Sequence, residues 1–209
     1  MRSRNETRRK VPIMAGVAAI LLACASGAGA ADSATVKGTV TVKPAGAARM
    51  QDIVVYIEGS VAGTKPPTRH AVIDQKNLTF IPHVLPVMAG TTVDFRNSDE
   101  ILHNVFSNSV ARKFDVGMFG HGESRSVLFD KPGLIDVRCN VHPKMRAVIV
   151  VLDNPFFAVP DADGSYSISG LPAGRYKLRA WHESLKPVEE WVNLNAGEVL
   201  NVSLPLEKQ

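Results

Sequence analysis

The sequence predicts an all-β protein of two sandwiches, and three observations carry that reading. Runs of β-branched, aromatic and alternating residues recur from residue 35 almost to the end of the 209-residue chain. Pairs such as Asp163-Gly164, Ala173-Gly174 and Ala196-Gly197 punctuate them as turns. No segment joins helical spacing of apolar residues to capping residues.

Residues 35–42 alternate around Gly38, and 53–57 form a β-branched and aromatic run that stops before Gly59. Residues 59–69, with Lys65-Pro66-Pro67, read as a linker or extended connection. Further strands are expected at 91–96, 126–129, 134–139 and 147–152, and then at 165–169, 176–181, 189–194 and 199–204. The middle group falls within 70–152, where the family resemblance given below implies a complete sandwich, which leaves the two early strands without a place in it. Beyond it, 154–206 offers about four strands, few for a free-standing sandwich with its edges covered. The expectation is a second small sandwich, split around the first, from 34–60 and 154–206. The chain divides accordingly into 1–30, 31–69, 70–152 and 153–209.

The first thirty residues read as a secretory signal peptide: a basic start, an apolar run over 11–23 and an Ala28-Gly29-Ala30 cleavage signature. The run is too short for a stable membrane anchor. Two other export routes stay open, a twin-arginine type through Arg8-Arg9 and a lipoprotein type through Leu21-Leu22-Ala23-Cys24. Membrane association is expected only if Cys24 is lipidated. Five of the 24 basic and one of the 20 acidic residues lie in this leader, so residues 31–209 hold 19 of each and no net charge. The basic pI belongs to the leader and gives no support to nucleic-acid binding. The mature protein is expected in the periplasm or elsewhere outside the cytoplasm. There Cys139 is its sole thiol, so no internal disulfide can form.

Cys139, His142 and Met145 fall in the run Cys-Asn-Val-His-Pro-Lys-Met, and His103 lies 36 residues before the cysteine. A thiolate, two imidazoles and a thioether are the donors of an electron-transfer copper site, with two His and one Cys in a plane and a weak axial Met. The local trio can reach one ion from one loop, and the remote His must arrive from another strand. Half of a zinc site and a buried core thiol are the alternatives. Structural zinc wants four strong donors, and no second cysteine follows residue 24. The six histidines (His70, His83, His103, His121, His142, His182) include no His-x-His pair, which leaves room for one mononuclear site. Met118 and His121 read as a surface loop, and His182 as part of a sandwich strand.

Residues 71–152 resemble the cupredoxins, the Greek-key β-sandwich family of type 1 blue copper proteins. The Cys-x2-His-x2-Met loop is similar to the family's short version, with Pro143 after the second His. Leu78-Thr79-Phe80-Ile81-Pro82, Gly90-Thr91-Thr92-Val93-Asp94-Phe95-Arg96-Asn97, His103-Asn104-Val105 and Phe129-x2-Pro132-Gly133 follow in the family's order. The resemblance implies one copper cycling between Cu(I) and Cu(II), held by His103, Cys139, His142 and Met145. It implies that Asn104 ties the two ligand loops together, that Pro143 stiffens the loop, and that His142 is the exposed port for electrons. A second stretch, Asp161 to Leu178, is similar to the central hairpin of carboxypeptidase-regulatory-like, or transthyretin-like, sandwiches.

The function so implied is a one-electron carrier, not an enzyme, between redox proteins such as an amine dehydrogenase and a c-type cytochrome. A copper carrier or storage protein, or a cell-surface module with a structural copper, is the alternative of a different class.

Overall fold

The structure, a computed structural model, describes residues 33–208. The proposed leader, with Arg8-Arg9 and Cys24, lies outside the described residues. In chain order the strands are β1 (Ala34–Lys43), β2 (Val54–Ile57), β3 (Ala71–Gln75), β4 (Phe80–Ile81), β5 (Val84–Met88), β6 (Thr91–Asn97), β7 (His103–Asn108), β8 (Lys113–Phe119) and β9 (Ser124–Phe129). They continue with β10 (Gly133–Arg138), β11 (Arg146–Leu152), β12 (Phe157–Ala158), β13 (Ser165–Leu171), β14 (Gly174–Trp181), β15 (Leu185–Lys186), β16 (Val188–Leu194), β17 (Val199–Asn201) and β18 (Leu204–Lys208). One short 3-10 turn, Met50–Asp52, is the sole helical element among the described residues.

The strands form four sheets around two main cores. One core lies between β5-β11-β10-β7-β8 and β4-β3-β6-β9, where Phe80, Phe95, Phe129, Ile135 and Ile149 are buried. The other lies between β13-β1-β18-β15, with β17 also on β1, and β12-β2-β14-β16. β1 pairs with β13, β17 and β18, and β2 pairs with β12 and β14, so the two earliest strands join the latest ones. Each fully buried Val, Leu, Ile or Phe in these cores contributes about 1.5–3 kcal/mol.

Gly38 marks where β1 passes from β17 to β18. A Cβ there would stand 1.8 Å from the carbonyl oxygen of Val202, whose own N–H donates to Lys37. Only a residue without a side chain permits that approach.

Two sequence expectations are corrected. The stretch from Asp161 to Leu178 is not a hairpin: β13 and β14 belong to different sheets, and the Pro172-Ala173 turn carries the chain across the sandwich. His182 is not in a strand but in the turn between β14 and β15. Strands β3, β4, β5, β7, β8, β12 and β15 were not read from the sequence, and the single strand expected over 199–204 is broken into β17 and the start of β18. β5 contains Pro86 and lies at a sheet edge, where a missing N–H is tolerated.

β11 joins the two halves of the molecule. Its sequence Arg-Ala-Val-Ile-Val-Val-Leu does not alternate because both faces are covered. Ala147, Ile149 and Val151 point into the core that holds Cys139 and Met145. Val148, Val150 and Leu152 form a third cluster with Val54 and Val84, against Tyr56, Phe157 and Trp181.

Beside this junction His182 is buried, 7% exposed, and its Nδ1 accepts the Ser184 N–H at 3.2 Å. Burial depresses its pKa below 6.5; the charges of Glu183 and Asp52 oppose this, while His83 and Arg49 reinforce it. The unfolded chain therefore takes up this proton first, so stability is full above about pH 6.5 and is lost as the pH falls below it. Glu183, whose pKa is also lowered, extends the same acid loss to below its ordinary 4.5. We expect the urea midpoint to fall between pH 7.5 and 5.5, and to fall less in His182→Asn. Equal pH slopes in the two proteins would remove His182 as the cause.

Candidate metal centre

Two local features of the sheet bring the donors together. β10 and β11 form a hairpin paired as far as Arg138 and Arg146, so residues 139–145 are its closing loop. β7 lies antiparallel to β10 with Phe106 opposite Arg138, which places the start of β7, His103, against that loop. Inside the loop the Met145 N–H donates to the His142 carbonyl at 2.9 Å, folding His142 and Met145 back toward Cys139.

The resulting triangle is small. His103 Nδ1 and His142 Nδ1 are 3.0 Å apart, and Cys139 Sγ stands 4.0 Å from the first and 3.8 Å from the second. Each offers one ligand atom within 4.8 Å of the others. His103 is 0% and Cys139 3% exposed, and His142 is half-buried. Met145, 1% exposed, packs in the same core as Cys139. Two imidazole nitrogens turned toward each other and a thiol sulfur, with His103 and Cys139 withdrawn from water, suit a soft metal ion bound by nitrogen and thiolate.

The tautomer of His103 is set from outside the triangle. Its Nε2–H donates to Asp99 Oδ2 at 2.9 Å, which leaves Nδ1 as a bare lone pair facing the site. Asp99 also accepts the N–H groups of Asn77 at 2.6 Å and Leu78 at 3.0 Å. Burial would raise the Asp99 pKa, but these bonds and the His103 bond outweigh it and hold the carboxyl below its ordinary 3.8. Asn77 and Leu78 have φ of 55° and 59°, the left-handed pair of a two-residue hairpin turn between Lys76 and Thr79. A leucine there costs about 1–2 kcal/mol, and the carboxylate offsets it. Buried Asn97 completes the brace: its Oδ1 accepts the Asp99 N–H, and its Nδ2 donates to the carbonyls of Ile101 and Phe119.

His103, Cys139, His142 and Met145 thus share one end of the sandwich. Asn104 is buried beside them, but its side chain does not tie the ligand loops together. Its Nδ2 donates to Asp115 Oδ1 of β8 at 2.6 Å, and its Oδ1 has no partner among the described residues. Pro143 lies exposed on the loop. Met118 corrects another expectation, since it belongs to β8 rather than to a loop; His121 follows in a turn, 3.6 Å from Glu100. Asp99 and Asn97 escaped sequence reading. The spacing of Asp99 four residues before His103 was the available signal.

If Asp99 orients His103, Asp99→Ala lowers copper affinity by roughly tenfold or more. Competition with a chelator measures it, and an unchanged affinity in the folded variant would show the bond to be incidental.

Residues 68–152 match the family model of copper binding proteins, plastocyanin/azurin family. The chain is 27% identical over 109 residues to amicyanin from Paracoccus versutus, covering 51% of this chain and 83% of that protein. Among solved structures it is similar to a copper-containing nitrite reductase from Thermus scotoductus, at 28% identity over 45% of this chain, with a TM-score of 0.39. It spans 25% of that enzyme. A purple cupredoxin from Nitrosopumilus maritimus is 25% identical over 39% of this chain and 98% of its own, with a TM-score of 0.35. The family-model and amicyanin matches support a cupredoxin domain over residues 68–152, and the cofactor that fits its His-Cys-His site is copper.

Proposed function

We propose that the protein is a one-electron carrier working outside the cytoplasm between larger redox proteins, and that it does no bond chemistry itself. The observation that carries this reading is the His103–Cys139–His142 triangle, two of its three residues buried, whose donors are already gathered by the protein's own hydrogen bonds. Copper, when bound, supplies the change between Cu(I) and Cu(II). His103 and His142 would hold the ion with two nitrogens, Cys139 with its thiolate, and Met145 would add a weak thioether sulfur. Donors that need not move keep the reorganisation on electron transfer small.

His142 is the port for the electron. It is half-buried, and exposed Val141 and Pro143 flank it in the loop, while Ile101 and Leu102 are exposed just before His103. An apolar rim around one imidazole edge suits the small interfaces of transient redox encounters. The donor and acceptor are redox proteins, with an amine dehydrogenase and a c-type cytochrome the pair that the amicyanin likeness suggests. The second sandwich is a packing module of the carboxypeptidase-regulatory-like kind. Burial of His103 and Cys139 counts against a copper carrier, which must hand its ion over.

Oxidised protein loaded with copper is expected to show an intense thiolate-to-copper absorption band, and Cys139→Ser to lose it while keeping the fold. A colourless copper(II) complex of folded wild type would overturn the assignment. Met145→Leu should keep copper and raise the reduction potential, because loss of the axial sulfur disfavours Cu(II). An unchanged potential would remove Met145 from the ligand set.

A further inference from the structure

A side chain of the second sandwich, Glu183, reaches the first residue of β11, where the metal loop ends. Asp136, on β10, binds Arg138 through Oδ2 and Arg146 through Oδ1, each at 2.6 Å. Arg138 immediately precedes Cys139 and Arg146 immediately follows Met145, so one carboxylate closes the base of the loop. Glu183 then approaches from the turn between β14 and β15. Its Oε2 pairs with Arg146 Nη1, and its Oε1 lies 2.7 Å from His83 Nε2. The other nitrogen of His83, Nδ1, is 3.0 Å from the carbonyl oxygen of Arg146, and the His83 carbonyl accepts the Val148 N–H. Arg146 is therefore held by its guanidinium and by its backbone at the same time. His182 holds the turn itself in shape, through its bond from the Ser184 N–H.

We infer that Glu183 is a positioning residue for the copper loop: the second sandwich fixes Arg146 through it, and thereby the placement of Met145. The inference rests on the reading of Met145 as the axial ligand. Partly exposed ion pairs of this sort add little stability one by one, so a stabilising role alone is a poor account of three charged groups meeting at this point. Their arrangement constrains position: a guanidinium forked between two carboxylates has one orientation. The neighbouring valines add the other constraint, since Val84 and Val148 pack with Val54 across the same junction.

The test uses the full-length protein with Glu183→Ala and Glu183→Gln. Hydrogen exchange at the Met145 amide, which donates to His142, is read on metal-free protein; copper release to a chelator is read on loaded protein. Glu183→Ala should speed copper release roughly tenfold and speed Met145 exchange, with Glu183→Gln between it and wild type because its amide oxygen still accepts from Arg146. If Glu183→Ala does not fold, Arg146→Lys, which keeps the charge and loses the fork, carries the same expectation. Wild-type exchange and release in a variant whose urea midpoint has fallen would reduce Glu183 to a packing contact and overturn the inference. Absence of the charge-transfer band in wild type would sink the copper reading alone, since the exchange measurement needs no metal.

Discussion

The structure depends on β11 being covered on both faces. A strand of seven residues with no outward polar row cannot stand at the surface of a single sandwich, because the free face would expose a band of valines. Here the first core takes one row and the strands of the second sandwich take the other, and the strand begins where the metal loop ends, just after Met145. The same strand thus links a packing requirement to the placement of Met145, the sulfur donor we propose. Around it, the loop is shaped by hydrogen bonds made outside the ligand set: Asp99 and Asn97 on the side of His103, Asp136 and Glu183 on the side of Met145.

That division of labour explains how a soft protein loop can hold a rigid site. The donors themselves are few and weakly constrained by chain spacing. Their orientation comes from amides and carboxylates one step further out, of which Asp99 and Asn97 are themselves held by backbone groups. Asp99 illustrates the balance: burying a carboxylate is costly, yet three N–H donors meet it, two from a turn whose own conformation would otherwise be unfavourable.

What the sequence disclosed follows the range of the interactions. The all-β class is legible because alternation and turn residues are local signals. The close approach of Cys139 and His142 is legible because three residues in a tight loop admit few shapes. His103 stands out because the family order surrounds it. The bracing groups do not: Glu183 lies 37 residues from Arg146 and 100 from His83, and nothing in its neighbours marks it. β7 and β8 were missed for a different reason, since their polar residues, His103, Asn104, Ser107 and Asp115, break the apolar alternation in order to build the site. Likewise 165–171 and 174–181 look like a hairpin because their turn is short, and only the pairing of each with a distant strand shows an arch between sheets.

The central claim is that the fold, rather than the ion, sets the positions of the donors. X-ray absorption at the copper edge, on full-length protein in both oxidation states at neutral pH, tests it most directly. The account predicts one short copper–sulfur bond and two copper–nitrogen bonds in each state, with the same donors throughout. Loss of an imidazole or of the thiolate when the oxidation state changes would contradict it.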